Sequence, residues 1–189
     1  MSVIEQNTLY TPEDLLRLDD AVRYELVDGT LVERNMGMDS SAIALWIGSL
    51  LMAFVRREGL GGHLFGADGS YQCFADAPAK VRKPNVSFIR AGRLAQEQRP
   101  KGHCPIPPDL AVEVVSPNDL FHDVDEKIDE YLSAGVSLVW VVSPETRSVH
   151  VYRRQADPEA RSALHQGDDT ITGEDVLPGF SCKVADFFI

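Results

Sequence analysis

With 189 residues, 44% of them hydrophobic and 25% charged, the chain has the length of one domain and enough apolar sequence to bury a core, which excludes the disordered and low-complexity classes. Its formal net charge of −11 argues against a protein that coats nucleic acid with its whole surface, because phosphate binding draws on clustered lysine and arginine. Three widely spaced cysteines without a C-x-x-C pair suggest no disulfide framework, and with no basic-then-apolar leader and no run of about 18 apolar residues neither export nor membrane insertion is implied, so a reduced, cytoplasmic setting is expected.

Residues 12–19 open with proline and acids before a short apolar pattern, and predict a first helix. YELVDGTLVER follows as two alternating runs joined at Asp28-Gly29, a dipeptide suited to the positive φ angles of a tight hairpin. From Ser40 to Glu58 the apolar residues recur at helical spacing until Gly59-Leu60-Gly61-Gly62 stops them, which predicts the main packing helix. Short strands are expected around His63–Phe65, Ser70–Phe74 and Val86–Ile89, all extending one sheet. The polar, proline-rich stretch Arg93–Pro108 reads as a long surface loop, the kind of segment that reaches a ligand. Beyond it the pattern predicts a strand at Leu110–Val115, a helix at Asp123–Ala134 and strands at Leu138–Val142 and Ser148–Arg153. A polar segment, Gln155–Asp169, precedes VLPGFSCKVADFF, whose Pro-Gly turn and aromatics are expected to close over the sheet. The sum is one α/β domain spanning residues 1–189, without internal repeats.

Charge is segregated along the chain. Lys80, Arg82, Lys83, Arg90, Arg93, Arg99 and Lys101 face only Glu97, so this stretch carries +6 and the remainder −17. It is either a phosphate-binding surface or a solvated strand-and-loop face.

The strand D-L-A-V-E-V-V-S-P sets Leu110, Val112 and Val114 on one side and Ala111, Glu113 and Val115 on the other, so Glu113 is the lone carboxylate in an apolar strand. Such a group needs a metal, a cation or hydrogen bonds to offset its desolvation, unless the strand end near Ser116-Pro117 reaches solvent. In the next helix Val124, Ile128, Tyr131 and Leu132 form an apolar stripe that includes Lys127. That lysine either snorkels to water or meets Glu113, and the pairing accounts for both anomalies. A carboxylate and a lysine together suit Mg²⁺-assisted attack of water on phosphorus, the carboxylate holding the cation and the ammonium stabilising charge on the phosphate.

Y-E-L-V-D-G-T-L-V-E, V-R-K-P-N-V-S-F-I, P-D-L-A-V-E-V-V-S-P, K-I-D-E-Y-L-S-A-G-V, L-V-W-V-V and V-L-P-G-F occur in this order between about Tyr24 and Phe187. Together they resemble the Uma family of putative restriction endonucleases, which implies the PD-(D/E)XK nuclease fold, a central mixed sheet flanked by helices. The resemblance places the family's glutamate on Glu113, its helical lysine on Lys127 and a frequent acid of the first hairpin on Glu25. In the wider superfamily the lysine stands two residues after the acid, where this chain has Val115, so Lys127 is the migrated equivalent. The family's P-D-V aspartate reads Pro84-Asn85-Val86 here, which removes one metal-binding charge.

The expected site therefore comprises Asn85, Glu113 and Lys127 as catalytic residues, with Asn85, Glu113, the Val114 carbonyl and Glu25 around Mg²⁺ or Mn²⁺. DNA is the expected substrate, and a homodimer follows from the same resemblance. The rival is a catalytically inactive nuclease fold that binds nucleic acid or a protein partner. His122 and Asp123, beside the helix start, are expected to cap it or to help position water or phosphate. The other histidines and Ser116 show no ligand spacing or nucleophile motif and are read as structural or surface residues.

Overall fold

The computed structural model describes residues 9–34, 37–116, 119–154 and 160–188. Helix α1 (Pro12–Arg17) begins at a capping box in which Thr11 Oγ1 accepts from the Asp14 N–H and Asp14 Oδ2 accepts from the Thr11 N–H. Strands β1 (Tyr24–Val27) and β2 (Thr30–Glu33) form a hairpin, turned by Asp28 at φ 49° and Gly29 at φ 80°. Helix α2 (Met38–Glu58) ends at Gly59 in the left-handed conformation.

Strands β3 (His63–Gly66), β4 (Val86–Ile89), β5 (Leu110–Val114), β6 (Leu138–Ser143), β7 (Ser148–Arg153) and β8 (Ser162–Gln166) lie side by side in chain order as one sheet. Only β5 and β6 run parallel, and helix α3 (Phe121–Ala134) makes the crossover between them. The sheet is thus mixed and flanked by helices, as expected. β9 (Thr170–Gly173) and β10 (Leu177–Lys183) form a second hairpin, followed by a 3-10 turn at Val184–Phe187.

Alternation along β5 decides what each face meets. Leu110, Val112 and Val114 join the larger core with Ile43, Ile47, Leu51 and Phe54 of α2 and with Phe180, Val184 and Phe187 of the tail. Ala111 faces the other way, into a core with Ile128, Tyr131 and Leu132 of α3 and Val139 of β6. α2 is long and apolar enough to cross a bilayer by length and composition alone. Its apolar character is explained by the sheet, which buries Ile47 and Leu51 completely.

Several expectations need correction. Ser70–Phe74 is not a strand; Tyr71 makes isolated bridges to Arg82 and Cys104 while its hydroxyl pairs with Ser87 Oγ at 2.6 Å. The polar segment Gln155–Asp169 contains strand β8, whose polarity reflects its place at the sheet edge, while residues 155–159 lie outside the described residues. Pro178-Gly179 is no terminal turn but falls inside β10, where the register shifts between Leu177 and Ser181. The loop from Arg93 to Pro108 includes a 3-10 turn at Ala95–Glu97 and buries Leu94 and Cys104, so it is tied down instead of lying wholly on the surface. α3 starts two residues before Asp123, at Phe121, which is 81% exposed and therefore carried no core signal.

Gly62, at φ +87°, brings the chain from α2 onto the sheet so closely that an added Cβ would lie 2.6 Å from the Ile89 carbonyl oxygen and 2.8 Å from the Phe88 ring. Gly62→Ala is expected to destabilise the protein by at least about 1–3 kcal/mol, read as a lower urea midpoint. An unchanged midpoint would show that the close approach is not required.

Candidate active site

The C-terminal end of β5 carries Glu113 towards α3, where the Tyr131 hydroxyl donates to its Oε1 at 2.7 Å. Lys127 lies one helical turn before Tyr131 on the same face, and its Nζ sits 3.9 Å from Glu113 Oε2. The nearer partner is Glu25 of β1, whose Oε2 is 3.0 Å from Lys127 Nζ. Glu25 arrives there because the hairpin is pinned to the segment before β4: Leu26 N–H donates to Val81 O at 3.0 Å and Val81 N–H to Leu26 O at 2.8 Å. Arg34, just beyond the hairpin, adds guanidinium bonds to the carbonyls of Ala67 and Lys83 at 2.9 and 3.0 Å.

Both oxygens of Glu25 are occupied by donors. Oε1 accepts from the Lys83 N–H at 2.7 Å, and Oε2 accepts from Arg82 Nη1 at 3.1 Å as well as facing Lys127. Arg82 also donates through Nε to Glu130 Oε2 at 2.6 Å, and Lys80 bonds the other oxygen of Glu130. Lys80, Arg82 and Lys127 thus face Glu25, Glu113 and Glu130 in one connected cluster, three charges of each sign.

These contacts shift the carboxylates in opposite directions. Burial pushes Glu25 up, but Lys127, Arg82 and the Lys83 amide together outweigh it and hold its carboxyl below the usual range. Burial pushes Glu113 up as well, and there Lys127 and the Tyr131 bond do not overcome it, with the Glu25 charge adding to the rise. Lys127 is raised, because Glu113 and Glu25 outweigh the burial that would lower it. Of these two carboxylates Glu113 is therefore the less compensated.

Asn85 stands just before β4, and its Oδ1 accepts the Val114 N–H at 2.8 Å. The amide group does for β5 what a ladder carbonyl would do at the point where the pairing of β4 and β5 ends, after Val86 opposite Val112. A small open cleft of about 160 Å³ unites Glu25, Asn85, Glu113, Val114 and Lys127, with Asp119, Asp123 and Glu126 on its rim. Every site residue expected from the sequence is in this one place.

The basic segment behaves differently from a phosphate-binding surface. Lys80, Arg82 and Lys83 are buried, the first two in the ion-pair cluster and the third donating to the Ala21 carbonyl. Arg90 and Arg93 both pair with buried Asp109 at 2.8 Å, near the start of β5. Arg99 and Lys101 are exposed. Most of the +6 stretch is consumed in holding the fold. His122 is 75% exposed and pairs with Asp123 at 3.0 Å, but neither caps α3, whose N-cap position is Leu120.

Sequence reasoning assigns no place in the site to Tyr131 or Glu130, and names Lys80 and Arg82 only as members of the basic stretch. Tyr131 was read as part of the apolar stripe, although a buried tyrosine hydroxyl needs a partner. The i, i+2 spacing of Lys80 and Arg82 and the i, i+3 spacing of Lys127 and Glu130 were the available signals.

Mg²⁺, which the family resemblance implies, finds here one incompletely compensated carboxylate, Glu113, beside the Val114 carbonyl and the second lone pair of Asn85 Oδ1. Among the described residues no group of three His, Cys, Asp or Glu is arranged to hold a metal ion. The donors fit a weak, water-rich site that relies on a substrate phosphate for further negative charge. Glu25, whose two oxygens already accept from the Lys83 amide, Arg82 and Lys127, is more strongly engaged by protein donors than Glu113.

A family model, Uma2, described as "Putative restriction endonuclease", matches residues 12–185 of this chain. The fold is similar to the crystal structure of "a putative nuclease belonging to DUF820 from Anabaena variabilis ATCC 29413", with a TM-score of 0.75 at 20% identity, covering 94% of this chain and 97% of that one. No curated protein matches the chain.

Because its folded-state pKa is lowered from 4.5, Glu25 contributes stability that is present above that value and lost as the pH falls through the folded pKa. Glu25→Gln is expected to cost about 3–5 kcal/mol at neutral pH, as for other broken buried pairs. The gap between wild type and variant should narrow on acidification below 4.5, when Glu25 itself becomes protonated. Urea unfolding across this range checks it, and a constant gap down to about pH 3 contradicts it.

Proposed function

The chain belongs to the Uma2 family of putative restriction endonucleases, and we propose that it is a metal-dependent DNA endonuclease hydrolysing phosphodiester bonds at the cleft of Glu113, Lys127 and Asn85. The observation that carries this reading is a lysine ammonium fixed between two buried carboxylates at the end of a central strand, open to solvent on an acid-rimmed cleft. Lys127 lines this cleft with 22% of its side chain exposed.

Each residue has a distinct part. Lys127 stabilises negative charge building on the phosphate and orients the attacking water. Glu113, held by Tyr131 through Oε1, turns its less compensated oxygen towards Lys127 and the cleft. Glu25 keeps Lys127 charged and in place. Asn85 holds the end of β5 through the Val114 amide. Mg²⁺ or Mn²⁺, held by Glu113, the Val114 carbonyl and Asn85, would supply Lewis acidity to water and phosphate. Cytoplasmic location and a homodimer that pairs two clefts belong to the same reading.

One observation favours a second reading. The cluster balances three positive against three negative charges without a metal, and Asn85 withholds the charge that an aspartate would add. A catalytically silent fold that binds nucleic acid or a protein partner would have this composition.

Plasmid cleavage in Mg²⁺ or Mn²⁺ separates the two. Asn85→Asp should raise cleavage by at least about tenfold and make thermal stability respond to Mn²⁺. Glu113→Gln added to Asn85→Asp, or Lys127→Ala added to it, should each lower the rate by about 100-fold or more. Equal cleavage by Asn85→Asp and Asn85→Asp/Glu113→Gln would place the nuclease chemistry elsewhere, and no cleavage by wild type or Asn85→Asp would favour the silent reading.

A further inference from the structure

The geometry points to Arg82 as a positioning residue for Lys127, acting through Glu25 and held from behind by Glu130. This rests on the reading of Lys127 as the group that meets the phosphate. Arg82 forms part of the cleft wall, but its side chain is only 5% exposed and its hydrogen bonds to Glu25 and Glu130 turn its guanidinium towards carboxylates.

The argument starts from Glu25 Oε2, which is shared between Arg82 Nη1 at 3.1 Å and Lys127 Nζ at 3.0 Å. A carboxylate oxygen shared by two cations offers each less than its whole charge. Arg82 therefore limits how strongly Glu25 draws Lys127 away from Glu113, which stands 3.9 Å on the other side. The planar guanidinium also fixes the rotation of the Glu25 carboxylate, because Nε is committed to Glu130 Oε2 at 2.6 Å while Nη1 reaches Glu25. Glu130 is anchored in turn by Lys80 and by its place on α3, one turn from Lys127. The path from Arg82 thus closes into a ring, from Glu130 along α3 to Lys127 and back through Glu25. A lysine in place of Arg82 has the charge but not the two-pronged geometry that spans the two carboxylates.

Arg82→Met is the direct test, since each carboxylate keeps a partner: Glu130 retains Lys80, and Glu25 retains Lys127 and the Lys83 amide. In whichever background cleaves, wild type or Asn85→Asp, Arg82→Met is expected to lower kcat at least about tenfold and to change KM for DNA by less than about twofold, as a misplacement of order 1 Å near the chemistry does. Arg82→Lys should recover only part of kcat. A kcat retained within about twofold, or a loss carried entirely by KM, would overturn the proposal while leaving the nuclease reading intact. If Arg82→Met does not fold, Glu130→Gln loosens the same clamp from the far side and is read by the same split. If neither background cleaves, the nuclease reading fails on its own, and the crystal structure of Arg82→Met decides the positioning role. Lys127 Nζ displaced towards Glu25 supports it, and Lys127 unmoved overturns it.

Discussion

Six charged side chains taken largely out of water must neutralise one another, and the rest of the structure is arranged to let them. Glu25 comes from β1, Lys80 and Arg82 from the segment before β4, Glu113 from β5, and Lys127 and Glu130 from α3. No two neighbouring elements could supply this set, so the hairpin must dock on the β4 approach and α3 must cross directly over β5. Apolar packing does most of that work: α3 seals one face of β5 with Ile128, Tyr131 and Leu132 while α2 seals the other with Ile47 and Leu51. The charges then select one arrangement from those the apolar surfaces would permit, because any displacement strands a buried ion at a cost of several kcal/mol.

Asn85, at a position where the resemblance leads one to expect an aspartate, acquires a physical meaning in this setting. A fourth carboxylate beside Glu113 would leave the cluster one negative charge in excess, and a divalent cation is the natural complement of that excess. Asn85 keeps the backbone function of the position, the bond to the Val114 amide, and drops the charge. The charges of the cluster pair with one another through protein contacts alone.

Much of this was legible in the sequence, for reasons that can be assigned. Period-2 alternation marked Glu113 as a lone charge in an apolar strand, and period-3.6 spacing marked Lys127 as a cation on an apolar stripe; one backbone rule apiece, joined by a βαβ crossover, brought them together. Glu25 lay beyond that reasoning, since the docking of a hairpin on a segment more than fifty residues away is a tertiary event, and its bond to the Lys83 amide has no local signature. The basic stretch misled because charge counting does not record burial: Arg82 and Arg93 look alike in sequence, yet one supports the site and the other a buried Asp109 near the opposite end of β5. β8 escaped notice because this edge strand buries no residue fully, and its half-buried side carries only Ala163 and His165, too little apolar surface to mark a strand.

A site built in this way depends on the coupling between β1 and α3, which meet through an ion pair of 3.0 Å. A double-mutant cycle joining Glu25→Gln with Lys127→Met, read by urea unfolding at neutral pH, measures that coupling directly. The account predicts a favourable interaction energy of more than about 1 kcal/mol. Additive effects, with an interaction energy near zero, would show that the two residues are neighbours by packing alone and that the buried charges do not hold the site in place.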